Sequence, residues 1–221
     1  MSQTACGGGR IAVSVEEKIA DIFGVDRRIV EKYCNEYQAL DVYIERKLEG
    51  KNLLALTPDK RRAMYAIVKL LKPHSSVETG VGPGSSTTVI LSATGCGFLH
   101  SIDYGVKYGF EKETYPVGFV IPEALKKNWQ LHTGDSAKLL KPLLEKLGKI
   151  DMFYHDSTHE EKHVEFEISN AWKHMDRGII LIDNYLWTPA PRKLSEKVGS
   201  PLVELSRKAG GFCAIPKRLG D

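Results

Sequence analysis

The sequence predicts an α/β chain in which a mostly parallel sheet is covered by helices on both faces. Three observations carry that prediction. Short apolar runs alternate with longer stretches of helical period. The runs end in Asp, Glu, Asn or Gly. The last two runs lie too close together for a crossover helix, which makes them antiparallel.

The runs are "SSVETG", "GFLHSID", "WQLHTGD", "KIDMFYHD" and "GIILIDN", and helical stretches such as "SAKLLKPLLEKLG" and "EEKHVEFEISNAWKHM" separate several of them. Sheets of this kind bind ligands at the carboxyl ends of their strands, where these polar residues fall. The final pair lies in "SPLVELSRKAGGFCAIPKR", joined through Gly210-Gly211. Ahead of the first run, Ser14 reads as the N-cap of a helical region from Val15 to about Leu48 that ends at Gly50. Thr57-Pro58-Asp59 starts a further helix that Pro73 closes. We therefore expect a tail and helical extension over residues 1–56 and the α/β domain over residues 57–221.

At 221 residues the chain has room for one sizeable core. Its 42% hydrophobic and 27% charged residues argue against disorder and fibrous architectures. Apolar runs of strand length do not suit a membrane span, and "MSQTACGGGR" has no apolar secretory segment. The expected location is cytoplasmic, with the first nine or so residues a flexible tail. Cys6, Cys34, Cys96 and Cys213 are far apart, as reduced structural cysteines are. The net charge of +3 is modest, and the basic clusters, Lys60-Arg61-Arg62 among them, are dispersed without interleaved aromatics. They read as solvated surface, which argues against a nucleic-acid partner.

"VETGVGPGSSTTVILSATG" follows the first run and opens a helix. A dinucleotide fingerprint needs its third glycine where Ser85 stands, so a nicotinamide enzyme is disfavoured. Gly80, Gly82 and Gly84 instead give G-x-G-x-G, with Glu78 two residues ahead. A carboxylate there would repel a pyrophosphate and suits a ligand bearing a cation.

On these residues the sequence resembles the class I S-adenosylmethionine-dependent methyltransferases, whose first motif is an acidic residue followed by G-x-G-x-G. The resemblance covers about residues 57–218. It implies a Rossmann-like seven-stranded sheet with an antiparallel C-terminal hairpin. It also implies S-adenosyl-L-methionine as cofactor, bound by Glu78, Gly80, Gly82, Gly84, Ser86, Asp103, Tyr104, Gly134, Asp135, Ser136 and Asp156. Asp103, 19 residues after Gly84, stands where the family's carboxylate binds ribose hydroxyls, and Gly134-Asp135-Ser136 stands where the family flanks adenine.

His159-Glu160-Glu161-Lys162-His163 matches H-E-x-x-H, so a zinc hydrolase is an alternative of another class. Neither the downstream glycine nor the third histidine of the zincins follows, which leaves His163 and Glu160 as solvent-facing helix residues and His155 and His174 as structural ones. A second resemblance is to metal-dependent O-methyltransferases of the catechol and macrolide-sugar types. There an aspartate ends the fourth strand, a basic residue follows three positions later, and an acidic pair or Asp-Asn ends the fifth. Asp156, His159 and Asp183-Asn184 stand in that order. The resemblance implies a divalent cation, Mg²⁺ by its oxygen donors, held by Asp156, Asp183 and Asn184. It also implies His159 as general base beside Asp156, acting on a small hydroxylated substrate. A metal-independent methyltransferase on another acceptor and a non-catalytic cofactor-binding module are the remaining alternatives, and a homo-oligomer is left open. The N-terminal helices and the segments after the second and fifth runs, with Tyr104, Tyr108, Tyr185 and Trp187, are expected to select the acceptor.

Overall fold

The computed structural model describes residues 13–110 and 113–218. The expected flexible tail, and Cys6 with it, lies outside the described residues. Cys34, Cys96 and Cys213 are free thiols.

Three helices open the chain: α1 (Val15–Phe23), α2 (Arg27–Glu36) and α3 (Gln38–Leu48). Ser14 caps α1 as a full capping box, its Oγ accepting from the Glu17 amide at 3.2 Å while the Glu17 carboxylate accepts from the Ser14 amide at 2.9 Å. Next come α4 (Pro58–Leu71), β1 (Ser75–Thr79), α5 (Ser85–Thr94) and β2 (Phe98–Asp103). A small antiparallel hairpin follows, β3 (Lys107–Phe110) with β4 (Glu113–Pro116), placing Tyr108 opposite Tyr115. The chain then returns through β5 (Trp129–Thr133), α6 (Ser136–Leu147), β6 (Met152–His155), α7 (Glu161–Lys173) and β7 (Gly178–Asp183). It ends in α8 (Ala190–Val198), β8 (Val203–Ser206) and β9 (Phe212–Lys217). Two of the segments expected to select the acceptor thus carry structure of their own, the β3–β4 hairpin and α8.

Seven strands form one sheet in the order β5-β2-β1-β6-β7-β9-β8. Every neighbouring pair is parallel except those of β9, which runs antiparallel to β7 and β8. This is a Rossmann-like α/β fold with the expected C-terminal hairpin. Period-two alternation divides the core into two layers. Met152, Tyr154, Ile179 and Leu181 face one cluster with residues of α1 to α5, while Phe153, Ile180 and Ile182 face the other with α6, α7 and α8. The N-terminal helices are therefore part of the first layer. Ile19, Val30 and Ile44 are fully buried there, and Arg61, 1% exposed, ties α4 to α3 through Asp41 at 2.7 Å and Glu45.

From β1 the chain moves outward to β2 and β5, and then back across β1 to β6 and β7. That reversal opens a crevice above the carboxyl ends of β1 and β6, the place where doubly wound sheets bind ligands.

Ile44→Ala tests whether α3 shares the main core. Deleting this fully buried side chain should lower the unfolding free energy in a denaturant titration by about 2–5 kcal/mol. A change within about 0.5 kcal/mol, the range of a surface site, would mean that α3 packs as a dispensable attachment.

Candidate active site

A cleft of about 660 Å³ lies above the carboxyl ends of the strands, a size usual for a small-molecule site. Its floor is the loop from β1 to α5. Gly80, Gly82 and Gly84 all have positive φ, at 84°, 51° and 90°, and a side chain at two of them would meet protein at once. A Cβ on Gly80 would collide with the Asp156 carbonyl oxygen, and one on Gly84 would lie 2.8 Å from the Gly118 Cα. These glycines let the loop sit directly against its neighbours, which fixes the spacing of the β1 and β6 ends.

Asp103, at the end of β2, steers the loop. Its Oδ2 accepts from the amides of Val81 at 2.9 Å and Gly82 at 3.0 Å, and its Oδ1 accepts from the Gly105 amide at 3.1 Å. Glu78 lies beneath the loop, fully buried, accepting from the hydroxyls of Ser86 at 2.6 Å, Thr87 at 2.8 Å and Ser101 at 2.6 Å. Burial pushes its carboxyl up to about 7, against the pull of those hydrogen bonds. Of the residues the sequence assigned to the site, all but Glu78 and Gly84 line the cleft. Glu78 acts on it through Ser86, which does line it, and not by meeting a ligand itself.

At the other end of the cleft stand the ends of β6 and β7. Asp156 Oδ2 accepts from the buried Tyr154 hydroxyl at 2.9 Å, and Asp183 Oδ1 accepts from Lys60 Nζ at 2.6 Å. Burial and mutual repulsion hold Asp156 well above the usual carboxylate range, and burial raises Asp183 against the attraction of Lys60. Lys60 was expected on a solvated basic surface with Arg61. Both are 1% exposed, because each ends on carboxylates, Lys60 on the buried Asp183 and Arg61 on the more exposed Asp41 and Glu45 of α3. The sequence did hold a signal. Lys60 lies four and seven residues before Met64 and Ile67, on the apolar stripe of α4.

His159 lies in the loop two residues ahead of α7, and the helix begins only at Glu161. Its Nε2 is 2.9 Å from Asn184 Nδ2 and 3.8 Å from Asp156 Oδ1, and its ring meets Trp187 edge-on with centroids 5.0 Å apart. Since the Asn184 amide nitrogen can only donate, Nε2 is the unprotonated nitrogen. Burial, then the neighbouring His155, lowers its pKa to about 4. Asn184 itself adopts the left-handed conformation that asparagine tolerates, φ 51°, as β7 turns away.

His163 is not the solvent-facing residue expected. Its Nε2 lies 2.8 Å from Glu167 Oε1, 2.9 Å from Ser136 Oγ and 3.3 Å from Ser157 Oγ. Glu167 is wholly buried and also receives the Thr79 hydroxyl and His155 Nδ1, each at 2.6 Å. Burial alone would raise Glu167, but the bonds from His155 and His163 outweigh it and hold the carboxyl well below its usual range. The Glu167 hydrogen bond in turn raises His163. The H-E-x-x-H reading fails on this geometry, because His159 precedes the helix and the two imidazoles serve different partners.

The donor set does not fit the expected divalent cation either. Asp183 is already committed to an ammonium, the Asn184 amide nitrogen faces His159, and Asp156 receives a phenol hydroxyl. Among the described residues no group of three His, Cys, Asp or Glu side chains is placed to hold a metal ion. Likewise, no described helix is long and apolar enough to cross a membrane.

Residues 77–185 match the model of a family described as a methyltransferase domain. This stretch is similar to that domain and makes up just under half of the chain. It runs from the strand beneath the glycine loop to the end of β7, so it spans Asp103, Asp156, His159 and Asp183. No curated protein matches the chain. Among solved structures, a putative caffeoyl-CoA O-methyltransferase from Staphylococcus aureus superposes with a TM-score of 0.63 at 9% identity, over 86% of this chain and 99% of its own. A SAH-bound methyltransferase from Podospora anserina gives 0.57 at 15% identity, over 86% and 94%. An O-methyltransferase from Streptomyces achromogenes involved in tomaymycin synthesis, in complex with SAM, gives 0.56 at 15%, over 81% and 89%. These likenesses concern the fold.

The two cleft histidines should titrate in opposite directions. By NMR of the imidazole protons, His159 is expected to protonate near pH 4 and His163 above 6.5. The stability signs follow. Because the folded chain resists protonating His159, its contribution is full above about 6.5 and is lost as pH falls toward 4. The contribution of His163 is full below 6.5 and is lost as pH rises through its folded pKa. The reverse order of titration would overturn the assignment.

Proposed function

We propose that this chain is an S-adenosylmethionine-dependent methyltransferase that acts on a hydroxyl group of a small molecule, with His159 accepting the proton. The observation that carries the reading is the position of a neutral imidazole, its lone pair on Nε2, at the acidic end of a cleft whose floor is the glycine loop. The methyltransferase-domain match, and neighbours described as O-methyltransferases, support the reaction class.

The chain's residues divide the work along the cleft. Asp103 has Oδ1 lone pairs beyond its one bond to Gly105, so it can accept from ribose hydroxyls while Oδ2 keeps the loop in shape. Ser86 and Gly134-Asp135-Ser136 wall the same half. When bound, the cofactor supplies an electrophilic methyl on a sulfonium, whose C–S bond breaks with its electron pair left on sulfur as a C–O bond forms.

At the acceptor half, a substrate hydroxyl that replaces the Asn184 amide can donate its proton to His159 Nε2. A low pKa suits this timing. The hydroxyl proton becomes strongly acidic only as its oxygen gains the methyl, so a neutral imidazole suffices, and it is available at neutral pH. Trp187, 63% exposed, and Tyr104, 84% exposed, offer ring faces at the mouth, which favours an aromatic or otherwise flat acceptor. No step passes through a divalent cation, because Lys60 holds Asp183.

Two variants separate the halves. His159→Gln should lower kcat by on the order of 10²- to 10⁴-fold, the usual worth of a general base, with S-adenosylhomocysteine binding unchanged in calorimetry. Wild-type turnover in that variant would remove His159 from the mechanism. Asp103→Ala should instead weaken S-adenosylhomocysteine by a factor corresponding to about 1–3 kcal/mol, since a charge-assisted contact and the loop's anchor go together. Undiminished affinity would place the cofactor elsewhere.

A further inference from the structure

Lys60 occupies one of the residues expected to hold the cation, Asp183. Its Nζ lies 2.6 Å from Asp183 Oδ1 and 2.6 Å from the Ala209 carbonyl oxygen, at the end of a side chain buried along α4. Asp156, on the adjacent strand, feels the same charge. Two carboxylates side by side in a part-dry cleft repel, and the arrangement persists only with a cation between them or a proton on one. The ammonium is delivered by α4, an element outside the matched segment 77–185. It has three N–H donors and two partners, so the third remains for an oxygen in the cleft that Lys60 lines.

We propose that Lys60 is the resident cation of the acceptor site. Its ammonium takes the place of a divalent metal at Asp183, donates its remaining N–H to the acceptor oxygen, and bars metal from the Asp156, Asp183 and Asn184 donors. The acceptor-oxygen role rests on the methyl-transfer reading; the exclusion of metal does not. A lysine is a fixed monovalent point charge that needs no metal supply. Its charge is smaller than that of Mg²⁺, so it polarises the acceptor less, which suits an acceptor whose proton is taken by His159 as the methyl arrives.

The test uses Mn²⁺ alone on the full chain, followed by electron paramagnetic resonance and calorimetry, with no acceptor required. The wild type is expected to show no stoichiometric site. Lys60→Met keeps the apolar stem and removes the charge, and it should gain one Mn²⁺ per chain with affinity raised roughly tenfold or more. Adding Asp183→Asn should abolish the gain. Far-UV circular dichroism and thermal unfolding confirm the fold of each variant, and Lys60→Gln serves if Lys60→Met does not fold. A wild-type site for Mn²⁺ that Asp183→Asn removes would overturn the proposal, as would a folded Lys60 variant that gains no site. S-adenosylhomocysteine titration of the wild type is scored separately, and a null result there sinks the methyltransferase reading without touching the Mn²⁺ outcome.

Discussion

The structure turns on the carboxylates at the ends of four neighbouring strands, β2, β1, β6 and β7, of which Glu78 and Asp183 are buried and Asp103 and Asp156 are half-buried. A buried carboxylate costs several kcal/mol unless hydrogen bonds or a counter-charge offset it. Each of the four is met by a different device. Asp103 takes loop amides, Glu78 takes three hydroxyls, Asp156 takes a tyrosine hydroxyl, and Asp183 takes an ammonium. Glu167, just behind β6, is met by two histidines and two hydroxyls. Much of the local geometry follows from these partners. The loop curls because Asp103 pulls its amides, α5 begins under the grip of Glu78 on Ser86 and Thr87, and α4 is pinned across the sheet by Lys60.

Satisfaction of the acids also sets the protonation states that the chemistry uses. Glu167 is so well met that it stays ionised and keeps His163 basic. His159, one turn of chain away, receives no such carboxylate at hydrogen-bond distance and is desolvated beside His155, so it stays neutral. Two histidines four residues apart are thereby separated into a structural pair member and a free base. Sequence spacing cannot make that distinction, because it depends on which side of the α7 N-terminus each ring falls.

Much of the fold was legible because its signals are local. Each of the five main parallel runs appears as a strand, Ser14 caps its helix, and Gly210-Gly211 lies between the last two strands. The β3–β4 hairpin was not legible. It is short, half exposed and without a clean alternation, and it is held by pairing between Lys107–Phe110 and Glu113–Pro116 and not by an apolar face. In the site, strand-end position was enough to bring Asp103, Asp156, His159, Asp183 and Asn184 to one cleft. It was not enough to say that Glu78 turns downward, since both sides of a glycine loop accept a carboxylate equally well by spelling.

By itself the sequence determined the order of elements, the parallel sheet with its antiparallel end, and the acidic and glycine residues that meet above it. Periodicity, caps and strand termini are properties of neighbouring residues, and neighbours are what a sequence displays. Tertiary structure alone decided what balances those acids. Lys60 and Asp183 are separated by 123 positions in the chain yet 2.6 Å in space. Which cation meets a buried carboxylate depends on how far α4 reaches across the sheet, and that reach is set by the packing of the two layers.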